Sequence, residues 1–595
     1  MIDYRIDVGQ PHTHRFPVSL TVRPAGDALE VSLPVWIPGS YLIREFQRHL
    51  LGLQAEQGGE PCIIEQLDKA RWRIACRPGK ALTVRYEVYA HDTSVRAAFL
   101  DTRRGFFNGT SVFLRVEGHT ESPHRAQIVG LPKGWSVGTA LPSVKVDSRG
   151  QGWYQAQDYD ALVDHPVELG PFWRGTFTAR GVAHELIVSG AAEWADLDRL
   201  MADTRRICEA QITFWHGRRK PPFQRYVFLL NVVEDGYGGL EHRDSTALIC
   251  ARKDLPRRGV AAASDAYQTL LGLVSHEYFH TWNVKRLKPT AFAPYDYTRE
   301  NHTDMLWFFE GFTSYYDDLL LLRCGLLDLP AYLKLLAKPV NQVLATPGRQ
   351  VQSVAQASFD AWTRYYRPDE NTANATVSYY TKGSLVALAL DLSLRLCPAL
   401  DDGRAPSLDG VMKRLWALGR PINESDVATA LQAEAGCGPR HAADWGTLLA
   451  DWVHGTQDLP LKELLDLHGV HWTDKAGSLT QQLGVRLQEA PGGLKVQAVM
   501  HGSPAEQAGL SAGDELLAIG DWRLRKPDDL VQFFDRKAPQ PLLLCRDQQL
   551  MRVSLPPPPE GPTPWCHTVT LGQPPADSTG AGDAHLRRRQ AWLGH

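Results

Sequence analysis

His276-Glu277-Tyr278-Phe279-His280 reads as two zinc ligands and a catalytic base within one helical turn. Residues four apart in an α-helix differ by roughly 40° around its axis, so both imidazoles leave the same face. Two such nitrogens can chelate a tetrahedral metal, and a Glu beside the first can reach a metal-bound water. The run before the pentad supplies the helix: Ser264 is a plausible N-cap, and the apolar residues from Tyr267 to Val274 have helical spacing. The pentad therefore belongs near the C-terminal end of a mostly buried helix. A His pair hydrogen-bonded inside a core is the plainer alternative, and a third ligand decides between them.

Asp296, Glu300, His302, Asp304 and Glu310 all follow within reach along the chain. Glu310 is favoured because it alone stands inside an apolar helical pattern, Trp307 to Tyr316. A carboxylate buried among aromatics is costly unless it is paired. A metal would pair it; an ion pair with Arg286 is the competing explanation. Two further segments suit the same chemistry. Tyr237-Gly238-Gly239-Leu240-Glu241-His242 follows the strand pattern Tyr226 to Val233, and glycines beside an edge strand let a peptide backbone approach. Glu241 could hold a free amino terminus there, although a Gly turn with a solvated acid would read the same in isolation. Tyr379-Tyr380-Thr381-Lys382-Gly383 opens a Leu- and Ala-rich helix running from Ser384 to Leu396, where a phenol could donate to an oxyanion or simply pack.

Taken together, His276 to Arg286 and Trp307 to Tyr316 resemble the glycyl aminopeptidase family of gluzincin zinc metallopeptidases, whose members carry a C-terminal PDZ domain. Gly238-Gly239-Leu240-Glu241-His242 looks like the amine-anchoring motif of larger zinc aminopeptidases, and Tyr380-Thr381-Lys382-Gly383 is similar to the segment supplying their transition-state tyrosine. Trp36 to Tyr41, Phe106 to Ser111 and Asp164-His165-Pro166-Val167-Glu168 match as well. The interval from His280 to Glu310 is longer than in better-known gluzincins. The resemblance implies Zn2+ on His276, His280 and Glu310, Glu277 as general base, Tyr380 at the oxyanion, and Glu241 with Gly238 and Gly239 binding substrate. It also implies a preference for N-terminal Gly or Ala, which nothing in the spacing shows.

The 595 residues exceed one core, so a multidomain α+β protein is expected. Residues 1–170 alternate at period two, as in Val18 to Val22 and Leu82 to Tyr89, and predict a β-sandwich-like domain. Residues 171–465 predict a thermolysin-like catalytic domain, first sheet and then mainly helix. Residues 475–555 look like a PDZ domain, from Leu483-Gly484-Val485 through Gly502-Ser503-Pro504-Ala505 to Gly513-Asp514. Backbone amides at Leu483, Gly484 and Val485 would hold the carboxylate of a peptide or protein C-terminus; a purely packing role is an equal alternative. Residues 556–595 predict a Pro-rich linker and then a disordered tail.

A net charge of −3 argues against a nucleic-acid partner. No apolar run is long enough to span a membrane. The first residues alternate like a strand rather than a signal peptide, which makes a cytoplasmic location the default expectation. Nine cysteines without paired spacing predict neither disulfides nor a thiolate metal site. A PDZ serine protease is excluded because no nucleophile-elbow segment is present. The alternative from another class is a catalytically silent peptide-binding PDZ scaffold with a structural zinc, against which the intact catalytic positions argue.

Overall fold

The computed structural model describes residues 1–401, 403–561, 563–573 and 582–594. It divides into two compact units, the first running from Met1 to Asn301 with Cys324–Leu326 added, the second comprising the remainder.

The first unit is built from strands whose alternation is visible in the sequence. In Leu82–Tyr89, the residues Leu82, Val84, Tyr86 and Val88 point inward, while Arg85 and Tyr89 face solvent. Arg15–Val22 pairs with it antiparallel, and Ile2–Asp7 continues the sheet, parallel on its other side to His124–Val129. These belong to an eight-stranded sheet accompanied by two four-stranded sheets, which is the expected sandwich-like β domain. A five-stranded sheet follows in the order Trp173–Ala179, Val182–Ser189, Arg225–Val233, Ser245–Ala251, Tyr237–Glu241. Helix Leu197–His216 makes the crossover between the parallel strands Val182–Ser189 and Arg225–Val233. Strand Arg225–Val233 lies in the middle and is buried from Tyr226 to Val232, as a strand covered on both faces must be.

Across residue 170, where the sequence marks a domain boundary, buried side chains of the two parts share a cluster. Ile187, Val227, Leu229, Leu240 and Ala247 of the five-stranded sheet lie in the same buried cluster as Leu100, Val137 and Leu169 of the preceding domain. The two compact units divide at Asn301, after the pentad helix.

The second unit is helical and then β-rich. Helix Thr381–Leu394 is buried along its whole length from Lys382 and forms its centre. Helices Gly311–Arg323, Leu329–Leu344 and Leu461–Leu467 pack around it. The module that follows has a six-stranded sheet, its main run being Val485–Ala490, Gly493–Val499, Glu515–Ile519, Gln540–Arg546 and Gln549–Leu555. Its own core includes Leu483, Val496, Leu516, Leu530 and Leu544. Helix Pro504–Gln507 begins where Ser503 accepts a bond from the Glu506 amide.

The predicted disorder of the tail is overturned over the described residues. Thr568–Gly572 pairs antiparallel with His471–Lys475, closing a two-stranded ribbon around the module's flanks. Gly582–Leu593 is a helix whose Trp592 is fully buried. Its composition is polar overall, but this one large side chain anchors it. Residues 574–581 and 595, also covered by the disorder prediction, lie outside the described residues. No helix among the described residues is long and apolar enough to cross a membrane.

Candidate metal centre and substrate site

The pentad helix spans Asp265–Phe279, with Ser264 accepting a hydrogen bond from the Tyr267 amide at 3.1 Å and Asp265 favouring the positive N-terminal end. Tyr278 and Phe279 anchor the helix on its inner side. The Tyr278 hydroxyl donates to His184 Nε2 at 2.9 Å, and its ring meets Tyr226, Phe228 and Trp282. Gln211 adds two bonds, from its side-chain amide to the carbonyl and hydroxyl of Ser275. With that face fixed, the histidines and Glu277 leave the helix on the other.

His280 Nδ1 sits 2.7 Å from the Asn283 carbonyl, which can only accept, so Nδ1 carries the proton and Nε2 presents a lone pair. That Nε2 stands 3.0 Å from His276 Nε2. Two tetrahedral zinc ligands at bond lengths of about 2.0–2.1 Å would stand about 3.3 Å apart. A shared cation suits this pair better than two bare lone pairs facing one another. His276, His280 and Glu310 each offer one ligand atom, all within 4.8 Å of one another. Two imidazoles and one carboxylate are a donor set that zinc takes in catalytic sites, so the residues fit the group.

Glu310 is the residue between helices Leu306–Phe309 and Gly311–Arg323, where one continuous helix was expected. The backbone stays helical through it, with bonds from the Glu310 amide to Leu306 and from the Ser314 amide to Glu310. Tyr380 is the N-cap residue of helix Thr381–Leu394, which starts earlier and ends earlier than the Ser384 to Leu396 helix the sequence predicts. Its ring stacks on Tyr379 and lies near Tyr365. Burial, and then the charge of Glu310, holds its phenol well above the usual range, so it remains a hydrogen-bond donor.

The glycine motif is itself the edge strand, Tyr237–Glu241, rather than a turn beside one. Gly239 rests directly on the Glu277 carboxylate, and any Cβ there would collide with it. Glu241, at the end of the strand, is 4% exposed. Its carboxylate packs against Gly39, whose φ of +90° and lack of a side chain both demand glycine. Gly39 belongs to the Trp36 to Tyr41 segment, so a sandwich loop completes the surroundings of Glu241. The sequence shows that segment as a match but gives no sign of its contact, which depends on a fold bringing together residues some two hundred apart.

Spacing also missed a buried polar cluster next to Glu241. Asp164 Oδ1 lies 2.7 Å from Lys285 Nζ and 3.2 Å from His242 Nδ1, and Asp164 Oδ2 accepts the Arg243 amide at 3.1 Å. Burial alone would raise the Asp164 carboxyl, but Lys285, His242 and Arg243 outweigh it and hold it well below the usual range.

In the PDZ-like module, Leu483 and Gly484 were expected to cradle a carboxylate with Val485. The Leu483 amide donates instead to Leu479, and that of Gly484 to Gln481, closing the short helix Leu479–Gln482. Both donors are thereby engaged, while Val485 begins the sheet's outer strand, paired with Val499.

Family models match three regions: the peptidase M61 N-terminal domain over residues 3–171, M61 glycyl aminopeptidase over 269–386, and a PDZ domain over 495–545. Among solved structures, an aminopeptidase N family protein from Idiomarina loihiensis is 38% identical, with a TM-score of 0.89 and complete coverage of both chains. Structures of an M1 zinc metallopeptidase from Deinococcus radiodurans, one bound to a Tyr-Ser-Ala substrate, are 16% identical, with TM-scores of 0.48 and 0.47 over 77% of this chain and 94% of theirs. No curated protein gives a match.

Proposed function

The chain belongs to the M61 glycyl aminopeptidase family and is a metallo-aminopeptidase; from that premise we propose that it removes single N-terminal residues, Gly and Ala before others, from peptides with a free amino terminus. His276, His280 and Glu310 would hold the metal, and two imidazoles with a carboxylate favour zinc. When bound, zinc supplies Lewis acidity toward the scissile carbonyl and toward water. Glu277 takes a proton from the attacking water and returns it to the departing amine. The Tyr380 hydroxyl donates to the oxyanion as charge develops there. Glu241 pairs with the substrate ammonium, while Gly238 and Gly239 leave the strand edge bare for the substrate backbone.

The observation that supports this reading most is the register of the edge strand. Gly239 sits on the base Glu277, and Glu241 follows two residues later on the same face of the strand. Residues two apart in a strand are separated by about 6.5 Å, which brackets room for one amino-acid residue between amine and scissile bond.

Glu277→Gln tests the chemistry. The variant should retain zinc by atomic absorption yet lose roughly 10²–10⁴-fold in kcat on glycine p-nitroanilide; normal turnover would overturn the mechanism. Comparing free with N-acetylated substrates tests Glu241: equal rates on both would remove its role.

A further inference from the structure

Three segments singled out along the sequence have no role in the chemistry above: Asp164 to Glu168, His242, and the stretch after the pentad that ends in Lys285-Arg286. The fold brings them to one point, directly beyond Glu241. Strand Tyr237–Glu241 turns into Ser245–Ala251 through a tight hairpin, in which the His242 amide donates to the Ser245 carbonyl at 2.9 Å. Asp164 holds this hairpin with both oxygens, one on the His242 ring and the other on the Arg243 amide. On its far side, Arg243 reaches Asp160, and Arg286 donates to the Arg243 carbonyl and to Asp244. Asp164 is 8% exposed, His242 1% and Lys285 3%, so their geometry is fixed by packing and not by water.

We propose that Asp164 is a positioning residue for substrate recognition: it clips the hairpin that carries Glu241 and neutralises Lys285, leaving the Glu241 carboxylate aimed at the substrate ammonium. The inference rests on Glu241 being the amine anchor. The chain ties the cluster to Glu241 itself, because His242 and Arg243, which Asp164 holds, are the next two residues. Tyr295 lies beside Lys285, whose Nζ is 6.0 Å from its ring centre. Its phenol is held well above its usual range by burial first, then by Asp160, Asp164 and Glu241. Lys285 needs an anionic partner in this buried place, because an unpaired buried cation is costly. Asp164 is that partner. Without it, Lys285 would be stranded and the hairpin that carries Glu241 would lose the bonds that fix it.

The role makes a kinetic statement that a merely structural one does not. A group that only places a ground-state binding carboxylate affects KM and leaves kcat largely intact. The zinc-loaded, full-length Asp164→Ala variant should keep its zinc content and, on alanine p-nitroanilide, keep kcat within about threefold while KM rises about tenfold. Its preference for the free over the N-acetylated substrate should shrink in proportion. Because stranding Lys285 can unfold the region, Asp164→Ala combined with Lys285→Met removes both charges; with the clip still missing, KM should stay raised at least about threefold. A folded, zinc-loaded variant with unchanged KM would overturn the proposal, as would loss of zinc or a fall confined to kcat. Failure of both variants to fold would assign the cluster to folding alone and overturn it equally. Glu241→Gln, measured in parallel, separates the two claims. If it raises KM while the Asp164 variants do not, only the positioning role fails; if it leaves KM unchanged, the amine-anchor reading fails and takes this proposal with it.

Discussion

Gly239 shows how much of this site depends on an atom that is missing. Its backbone lies on the Glu277 carboxylate so closely that Cβ, Cγ and the carboxylate cannot coexist there. Gly239→Ala would displace Glu277, the proposed base, without touching the proposed metal ligands. We expect kcat to fall about 10²-fold, the usual consequence of moving a catalytic group by about 1 Å, with zinc content unchanged. Parallel kinetics and metal analysis check this; retained turnover would mean that Glu277 works from another rotamer. At this scale the sequence is highly legible wherever the chemistry is local. His276, Glu277 and His280 follow from helical period alone, and Ser264 from its capping position. Glu241 is legible as a residue, but its support is not. Gly39 reaches it, and Asp164 reaches the hairpin just beyond it, only through the folding of distant segments, and no spacing rule carries that information.

Between elements, the decisive feature is a crossing of two helices at glycines. Gly311 opens helix Gly311–Arg323 just after Glu310, and Gly383 lies in the first turn of helix Thr381–Leu394 just after Tyr380. A Cβ on Gly383 would stand 2.6 Å from the Trp307 carbonyl, and one on Gly311 2.5 Å from the Gly383 carbonyl carbon. Backbone meets backbone here, so Glu310 and Tyr380 are held in fixed relation by main chain rather than by flexible side chains. Gly383→Ala should force the helices apart, costing about 1–3 kcal/mol, the range for overpacking a core. Thermal melting should show the destabilisation and kcat should fall with it, whereas an alanine at exposed Gly26, whose backbone is not left-handed and where a Cβ meets nothing nearer than 3.8 Å, should do neither. Both helices were evident from their apolar spacing. The crossing was not, because a glycine inside a helix reads in sequence as a weak position, whereas here it is the contact point.

Across the whole chain, the largest departure from the sequence lies at its C-terminal end. Averaged composition from Gly572 onward is polar and Gly-, Ala- and Arg-rich, the signature of a segment that cannot bury enough surface to order itself. That average conceals Trp592. Its indole nitrogen donates to the Tyr315 hydroxyl at 2.8 Å, and its carbonyl accepts from Arg323 at 2.8 Å. The neighbouring Ala591 carbonyl accepts from Arg395, also at 2.8 Å. Tyr315 and Arg323 lie on the helix that begins beside Glu310, and Arg395 ends the helix that begins after Tyr380. The tail helix therefore fastens both elements, at Tyr315 and Arg323 of the first and at Arg395, the far end of the second. Trp592→Ala removes a fully buried indole and leaves the Tyr315 hydroxyl without its donor, a change that costs about 3–5 kcal/mol. Melting should move several degrees lower, and limited proteolysis should then cut the tail helix before the rest of the chain. If melting were unchanged, the helix would be an appendage. If it falls as expected while zinc and kcat at low temperature are retained, the last residues of the chain stabilise its catalytic helices and take no part in their chemistry.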